Sequence, residues 1–456
     1  MASCALDLGR ISLLSAVAAF LAAFAGTAYG QDDTAKKLTE LQGQLAEMRA
    51  RIDQLTQQKV SREEMMQLME KWNADSAKRA SALPKWAENL KFSGDLRLRA
   101  EALCYNWGDS SGADHRPDRN RARFRLRFGL VKTWLDDQLE VGFRLASGSS
   151  NDPTTTNQTF GENSSSEPAF AKRPVWIDMA WAKYSPKDLK GFSIAAGKMA
   201  NPMILNEFFM DTDVNPEGAW AEYKVPNLGN LEPFAGAGYF ILKEVASAPR
   251  DANYSGEDVD LLAYQAGLGY KITPDVKYTV GGLFLQYNDY RNSQGNTSNS
   301  GTRGNDRPLS LVGDFRVIDV TNKLEFKAFG LPASVYFDWA HNCGNKDSNP
   351  HYDDKDNALA TGITLGRNKK AGDWSLKYLY AYIQPNSLPG ALVDADFGAS
   401  NRKGHLWGGA YNVTDDLTVG VWVYYTKPIH SDTNTVNGVA NEGTTTTVRG
   451  ELVWKF

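Results

Sequence analysis

The sequence predicts an all-β transmembrane barrel of 16 antiparallel strands, preceded by an N-terminal α-helical coiled coil. Three observations predict it. From Phe92 onward apolar and polar residues alternate with a period of two, as strands with one apolar and one polar face require. The connections between these segments are short and long in turn, the layout of a barrel whose two rims face different compartments. The chain also opens on an apolar leader, which places the mature protein outside the cytoplasm.

Arg10 precedes an almost wholly apolar or small run from Ile11 to Gly26, and Ala28-Tyr29-Gly30 supplies the small residues of a cleavage site. The run falls short of the about 20 residues that an anchor helix needs. Residues 1–30 are therefore expected to be a signal peptide, cut before Gln31. Cys4 lies ahead of the apolar run, so it is not a lipoprotein acylation site.

Residues 31–85 are expected to be helical and periplasmic. Leu38, Leu41, Leu45, Met48, Ile52 and Leu55 repeat at heptad spacing, with Gln, Glu, Lys and Arg between them. Ser61 with Glu64 reads as a capping box for a second helix reaching about Ala80, and Pro84 closes the segment. A self-associating coiled coil and an amphipathic helix lying on the barrel both fit. The narrow apolar stripe favours the first.

Residues 90–456 form the barrel domain. Lys91 to Arg99 and Arg121 to Phe128 alternate clearly. Short turns fall at Leu135-Asp136-Asp137, Thr273-Pro274-Asp275, Gly330-Leu331-Pro332, Lys370-Ala371-Gly372-Asp373 and Thr414-Asp415-Asp416. Long polar loops fall at 104–119, 148–173, 200–216, 243–259, 288–308, 342–356, 384–402 and 427–443. Eight long loops with seven short turns give the 16 strands, with both barrel ends on the short-turn side. Trp134, Trp181, Tyr184, Tyr270, Tyr287, Trp374 and Tyr425 stand near strand ends, as interfacial girdles do. A mean hydropathy of -0.44 does not argue against this, because only alternate residues of a barrel strand meet lipid.

Alternation also assigns faces. With Leu96, Leu98, Phe124, Leu126, Phe128, Val141, Phe143 and Leu145 outward, Arg97, Arg99, Arg121, Arg123, Arg125, Arg127 and Arg144 point inward, beside Asp95, Glu101 and Glu140. Placing such charges against lipid would cost roughly 2–4 kcal/mol each near the midplane. Neighbouring strands thus build a basic wall of guanidinium groups, charged at any relevant pH and suited to bidentate bonds with carboxylates and phosphates.

Other functional classes find little support. A net charge of -4 without a segregated basic patch does not suit a nucleic-acid partner. The five histidines are dispersed, none at metal-ligand spacing, and no nucleophile elbow accompanies them. No catalytic residue, metal or cofactor is expected, and the chain is not read as an enzyme. Asp353, Asp354 and Asp356 fit calcium or, more simply, a solvated loop. Cys104 and Cys343 are expected to be unpaired thiols, with a disulfide as the alternative.

The last strand carries Val448, Gly450, Leu452, Trp454 and Phe456 on one face and Arg449, Glu451 and Lys455 on the other. The terminal Trp454 and Phe456 resemble the signature of barrels inserted by the outer-membrane assembly machinery, which that likeness makes a partner. Two further stretches are distinctive, Asn151 to Gly161 and the pair Gly197 to Pro202 with Asp211 to Gly218. They resemble the proteobacterial family labelled "putative porin", over about residues 90–456. The N-terminal helical segment resembles that of phosphate-selective porins, the second family the chain resembles.

The resemblance implies an outer-membrane homotrimer that forms a water-filled diffusion channel for small hydrophilic solutes and ions. Lipid and lipopolysaccharide are its expected surroundings, and peptidoglycan is an expected partner of the N-terminal helix. It also implies that the third long loop is the constriction. That loop brings Glu207, Asp211 and Asp213, with Glu217 just after it, to face the basic wall. Met203-Ile204-Leu205 and Phe208-Phe209-Met210 would anchor it. A substrate-specific anion channel of the phosphate type and a barrel that tethers the envelope are the alternative functions.

Overall fold

The computed structural model describes residues 89–106, 118–161, 169–244, 258–290, 304–305, 314–344, 354–430 and 443–456. The leader, the helical segment and the tips of several long loops lie outside the described residues. The chain divides into two compact units, Met1–Leu90 and Lys91–Phe456.

The second unit is a closed antiparallel barrel. Its strands in chain order are β1 (Leu90–Asn106), β2 (Arg119–Trp134), β3 (Leu139–Ala146), β4 (Gln158–Thr159), β5 (Trp176–Tyr184), β6 (Phe192–Lys198), β7 (Glu217–Lys224), β8 (Leu231–Lys243) and β9 (Val259–Thr273). They continue with β10 (Val276–Asn288), β11 (Phe315–Ala328), β12 (Leu331–Asn342), β13 (Asn357–Gly366), β14 (Trp374–Ile383), β15 (Arg402–Asn412), β16 (Leu417–Pro428) and β17 (Thr444–Lys455). Each barrel strand pairs with its neighbours in the chain, and β1 closes the ring on β17. Sixteen strands make the wall. β4 is an extra two-residue piece of the second long loop, paired with β2 beyond the reach of β3.

At the seam, the last described residue of β17's side is held against β1. Gly94 and Phe456 exchange two backbone hydrogen bonds, of 2.8 and 3.1 Å. The Phe456 ring fills the place where a side chain at 94 would stand, since a Cβ there would lie 2.5 Å from the ring.

One turn departs from expectation. β11 continues through Asp319 to Asn322 to Ala328, and the chain reverses at Phe329-Gly330 rather than at Gly330-Leu331-Pro332. Both turn residues have positive φ, 53° and 77°, the backbone of a tight hairpin whose twist matches its strands. Leu331 and Pro332 are already in β12.

Leu126, Phe128, Val141, Phe143, Ile318, Phe337 and Val421 are exposed and form an outward apolar belt. Trp134, Tyr184, Tyr270, Trp374 and Tyr425 are exposed near strand ends, as a girdle requires. Trp181 and Tyr287 do not belong to it. Trp181 lies against the lumen face of Gly142, and Tyr287 is buried against Tyr290 and Phe315. Their positions near strand ends matched the girdle, but their parity along the strand puts them inside.

Inside, the barrel has two unlike walls. On β17, β1 and β2 the inward residues are largely charged, and β3 adds Glu140 and Arg144. On β9 to β14 they are largely apolar, including Leu261, Leu283, Leu285, Val317, Leu379 and Ile383. An apolar lumen face would be costly against water; here two inward-folded loops cover it. Met203, Phe208, Phe209 and Met210 come from residues 199–216, and Leu388, Val393 and Phe397 from residues 384–401.

Candidate functional site

The charged wall is set by strand register. Arg97 and Arg99 stand on β1 between Asp95 and Glu101, and the four inward arginines of β2 run beside them. Arg125 and Arg127 reach Asp95 at 2.7 and 2.6 Å. Glu101 has a fully buried side chain and meets four guanidinium groups. Arg99 is at 3.1 Å, Arg121 at 2.5 Å, Arg449 at 3.6 Å and Arg123 at 3.7 Å. Arg144 pairs with Asp178 of β5 at 2.5 Å rather than with Glu140. Arg97 and Arg123 differ from the rest. Arg97 donates to the side-chain carbonyl of Asn157 at 2.6 Å, with Glu451 only at 4.0 Å. Arg123 donates to the Thr155 hydroxyl at 3.3 Å and the Asn157 backbone carbonyl at 3.4 Å.

The four acids expected to face this wall go to different places. Asp213 reaches it, 3.8 Å from Arg127, and its other oxygen accepts the backbone N–H and hydroxyl of Thr156. Glu207 pairs with Lys377 of β14, on the far wall. Asp211 sits where the two inward loops meet: its N–H donates to the Leu392 carbonyl at 2.9 Å. Glu217 opens β7 on the face opposite the buried Trp220 and pairs with Lys198 at 2.7 Å, so it takes no part in the constriction. One residue of strand parity separates it from the lumen.

Residues 384–401 supply what the sequence reading missed. Asp396 lies 2.6 Å from Arg449 and 3.3 Å from Arg99. Arg449, on the polar face of β17, stacks its guanidinium 4.3 Å above the Tyr424 ring. The two loops are joined by Phe208 stacked on Phe397 at 4.6 Å and by the Asp394 N–H donating to the Phe208 carbonyl at 3.3 Å. A signal for this was present. Leu392, Val393 and Phe397 resemble the apolar anchors of the third loop, and an exposed outer loop has no use for them.

Burial works to raise all three inner-loop carboxyls. In Asp211, repulsion from Asp394 adds to burial and raises it above the usual range. In Asp394, burial and the charge of Asp396 do the same, against Arg449. In Asp396, Arg449 and Arg99 overcome burial and hold it below that range.

The two distinctive sequence stretches build this site. Asn151 to Gly161 lays Thr155, Thr156 and Asn157 along the basic wall, and β4 fixes them there. In the second, Asn215 donates to Asp178 at 2.8 Å and so orients the partner of Arg144. Nearer the short turns, Lys183, Lys224, Lys271, Lys277, Lys323 and Lys327 also share the lumen face, paired with Glu222, Glu232, Glu325 and Asp275.

A 16-stranded antiparallel barrel with loops folded inward over a charged wall defines a channel of the porin class. The family model described as "Putative porin" matches residues 111–310 and 302–441, and the chain belongs to that family. Among solved structures, OprB of Pseudomonas putida in its high-pH form is similar in fold. It has a TM-score of 0.50 and 14% identity over 84% of this chain and 97% of that one. A mutant porin of Rh. blastica aligns at a TM-score of 0.40 and 9% identity, covering 80% of this chain and 100% of its own. No curated protein matches the chain in sequence.

Proposed function

We propose that the chain forms an outer-membrane channel through which small hydrophilic solutes and ions diffuse passively, selected at an eyelet between the basic wall and the inward loops. The carrying observation is the opposed pair of charged surfaces: Asp213 and Asp396 stand on loops against arginines fixed to strands. The pairs are in contact at 3.8 and 2.6 Å, so the fixed charges border the path rather than span it, and their field orients dipolar solutes and sorts ions passing beside them. The outer-membrane setting follows from the family and the outward apolar belt.

The remaining expectations enter the same proposal. Residues 1–30 direct export and residues 31–85 form a periplasmic helix. The assembly machinery reads Trp454 and Phe456, and lipid with lipopolysaccharide surrounds the belt. A homotrimer is supported by the outward face of β5 to β8, where β5, β6 and β7 are short (9, 7 and 8 residues) and Ala180, Ala196, Ala219, Ala235 and Ala237 lie among the exposed apolar Ile194, Tyr223, Tyr239 and Ile241. Contact of the helix with peptidoglycan would add tethering to transport.

A second reading, an anion-preferring channel, has its own observation. Arg97 and Arg123 lean on neutral acceptors, so their charge is the least neutralised of the wall. Planar-bilayer recording under a salt gradient tests both readings. Stepwise openings in threes support the trimeric channel, and the reversal potential gives the ion preference. Replacing Arg123 and Arg125 by Ala should move that potential toward cation preference. An unchanged potential would remove the wall from selectivity, and a folded barrel without openings would overturn the channel.

A further inference from the structure

Beneath the third loop, on the apolar wall, two carboxyls are buried side by side. β11 puts Asp319 and Thr321 on the lumen face, and β12 puts Tyr336 and Asp338 there, with Thr321 directly opposite Asp338 in the register. Asp319 is 0% exposed and Asp338 2%. Their surroundings are apolar: Leu283 stands opposite Asp319 across the β10 pairing, and Val317 and Ala340 flank it.

Each carboxyl is held on one side. The Thr321 hydroxyl donates to Asp319 Oδ1 at 3.1 Å, and the Asn206 side-chain amide donates to Asp338 Oδ2 at 3.0 Å. That leaves Asp319 Oδ2 and Asp338 Oδ1 buried without hydrogen-bond partners among the described residues, with the buried Tyr336 hydroxyl beside Asn206. The basic side chain on the adjoining wall, Lys377, is taken by Glu207. Two buried carboxylates would lose their hydration with one hydrogen bond each in return, so the cluster must either keep a proton or take up a cation.

The leftover atoms are all oxygens, and the charge to be balanced equals that of one divalent ion. Hard cations take such ligands. Calcium accepts the irregular arrangement this cluster offers, whereas magnesium demands near-octahedral geometry and keeps several waters that a dry wall does not supply. No trio of carboxylate, imidazole or thiolate groups gathers among the described residues, so neutral oxygens must complete the shell.

We propose that Asp319 and Asp338, with the hydroxyls of Tyr336 and Thr321, hold a buried calcium ion beneath the third loop, and that the ion fixes the loop to the wall through Asn206. The function is structural. The ion would neutralise the cluster and hold in place the carboxylate that Asn206 grips, two residues from the Phe208 anchor. No metal was expected from the sequence, because the two acids lie 19 positions apart on separate strands.

The test is elemental analysis of the full-length chain, purified without chelator and washed in metal-free buffer, against the double variant D319N/D338N. The variant keeps both shapes and removes both charges. One calcium per chain in the wild type, absent from the variant, is the expected result. Equal calcium in both would overturn the proposal and leave the two acids sharing a proton. A second measurement needs only the wild type. After EGTA treatment in detergent, adding Ca²⁺ should raise the unfolding temperature and quieten the open-channel current, and no change in either would overturn the ion's role.

Discussion

The basic wall and the apolar wall are both lumen faces of one barrel, yet they hold the inward loops by different forces. On β17, β1 and β2, Asp396 and Asp213 pair with strand arginines, Asp396 in direct contact with Arg449 at 2.6 Å and Asp213 at 3.8 Å from Arg127. On β9 to β14, Phe208, Phe209, Val393 and Phe397 are buried among Leu and Val side chains, as in the core of a soluble protein. The first contact depends on ionic strength and on proton binding, and the second on packed area. A pore built this way can keep its constriction in place with one wall and expose a field with the other.

The largest effect should come from the charged side. Glu101 is the shared partner of four arginines, and replacing it by Ala leaves them facing one another in a buried site. Removing one partner of a buried ion cluster costs about 3–5 kcal/mol. Denaturant unfolding of Glu101→Ala in detergent should show a loss of that order, partly relieved at high salt. A loss that salt does not touch would mean the wall is held by packing.

Phe397→Ala breaks the apolar side. The ring is fully buried and stacked on Phe208. Its removal should cost about 3 kcal/mol, toward the lower end of such truncations because the loop can settle in water. Here the loss should be indifferent to salt, while single-channel conductance and current noise rise. Unchanged conductance would show that residues 384–401 do not shape the opening.

The smallest effect is on proton binding where the loops meet. Asp211 and Asp394 keep their protons to higher pH in the native state than in the unfolded chain. The native state therefore binds more protons across that interval, and stability falls as pH rises from the unfolded carboxylate range through the native one. Asp394→Asn should flatten that slope. In the wild type, cation preference should grow as pH rises and the pair acquires charge. A reversal potential constant across that range would place the pair outside the ion path.

Much of the barrel was legible because its signals are local. The strands, the alternation of short turns and long loops, and the arginines of β1, β2 and β3 each follow from residue parity. The Phe329-Gly330 turn was misplaced by one residue because Pro332 marks a boundary as strongly as Gly330 does. Trp181 and Tyr287 were placed by nearness to a strand end and Glu217 by nearness to the third loop, and in each case the face of the strand was not read.

The site was only half legible. Asp213 and the basic wall were reached, since each lies on or beside a regular strand. Asp396, Arg449 and the division of Glu207, Asp211 and Asp213 among three partners were not, because a loop's path is fixed by contacts with distant strands. Phe208 meets Phe397 across 189 positions of sequence, and no periodicity reports such a contact.

The sequence by itself determined the barrel, its strand number and which side chains of each strand look inward, because a strand's two-residue period and the cost of charge in lipid act residue by residue. The tertiary structure alone decided that a second loop joins the constriction, that the lumen wall over β9 to β14 is largely apolar, and that two acids from separate strands share one buried site. Closing the sheet into a ring brings remote segments together, and what they meet depends on where every other strand has gone.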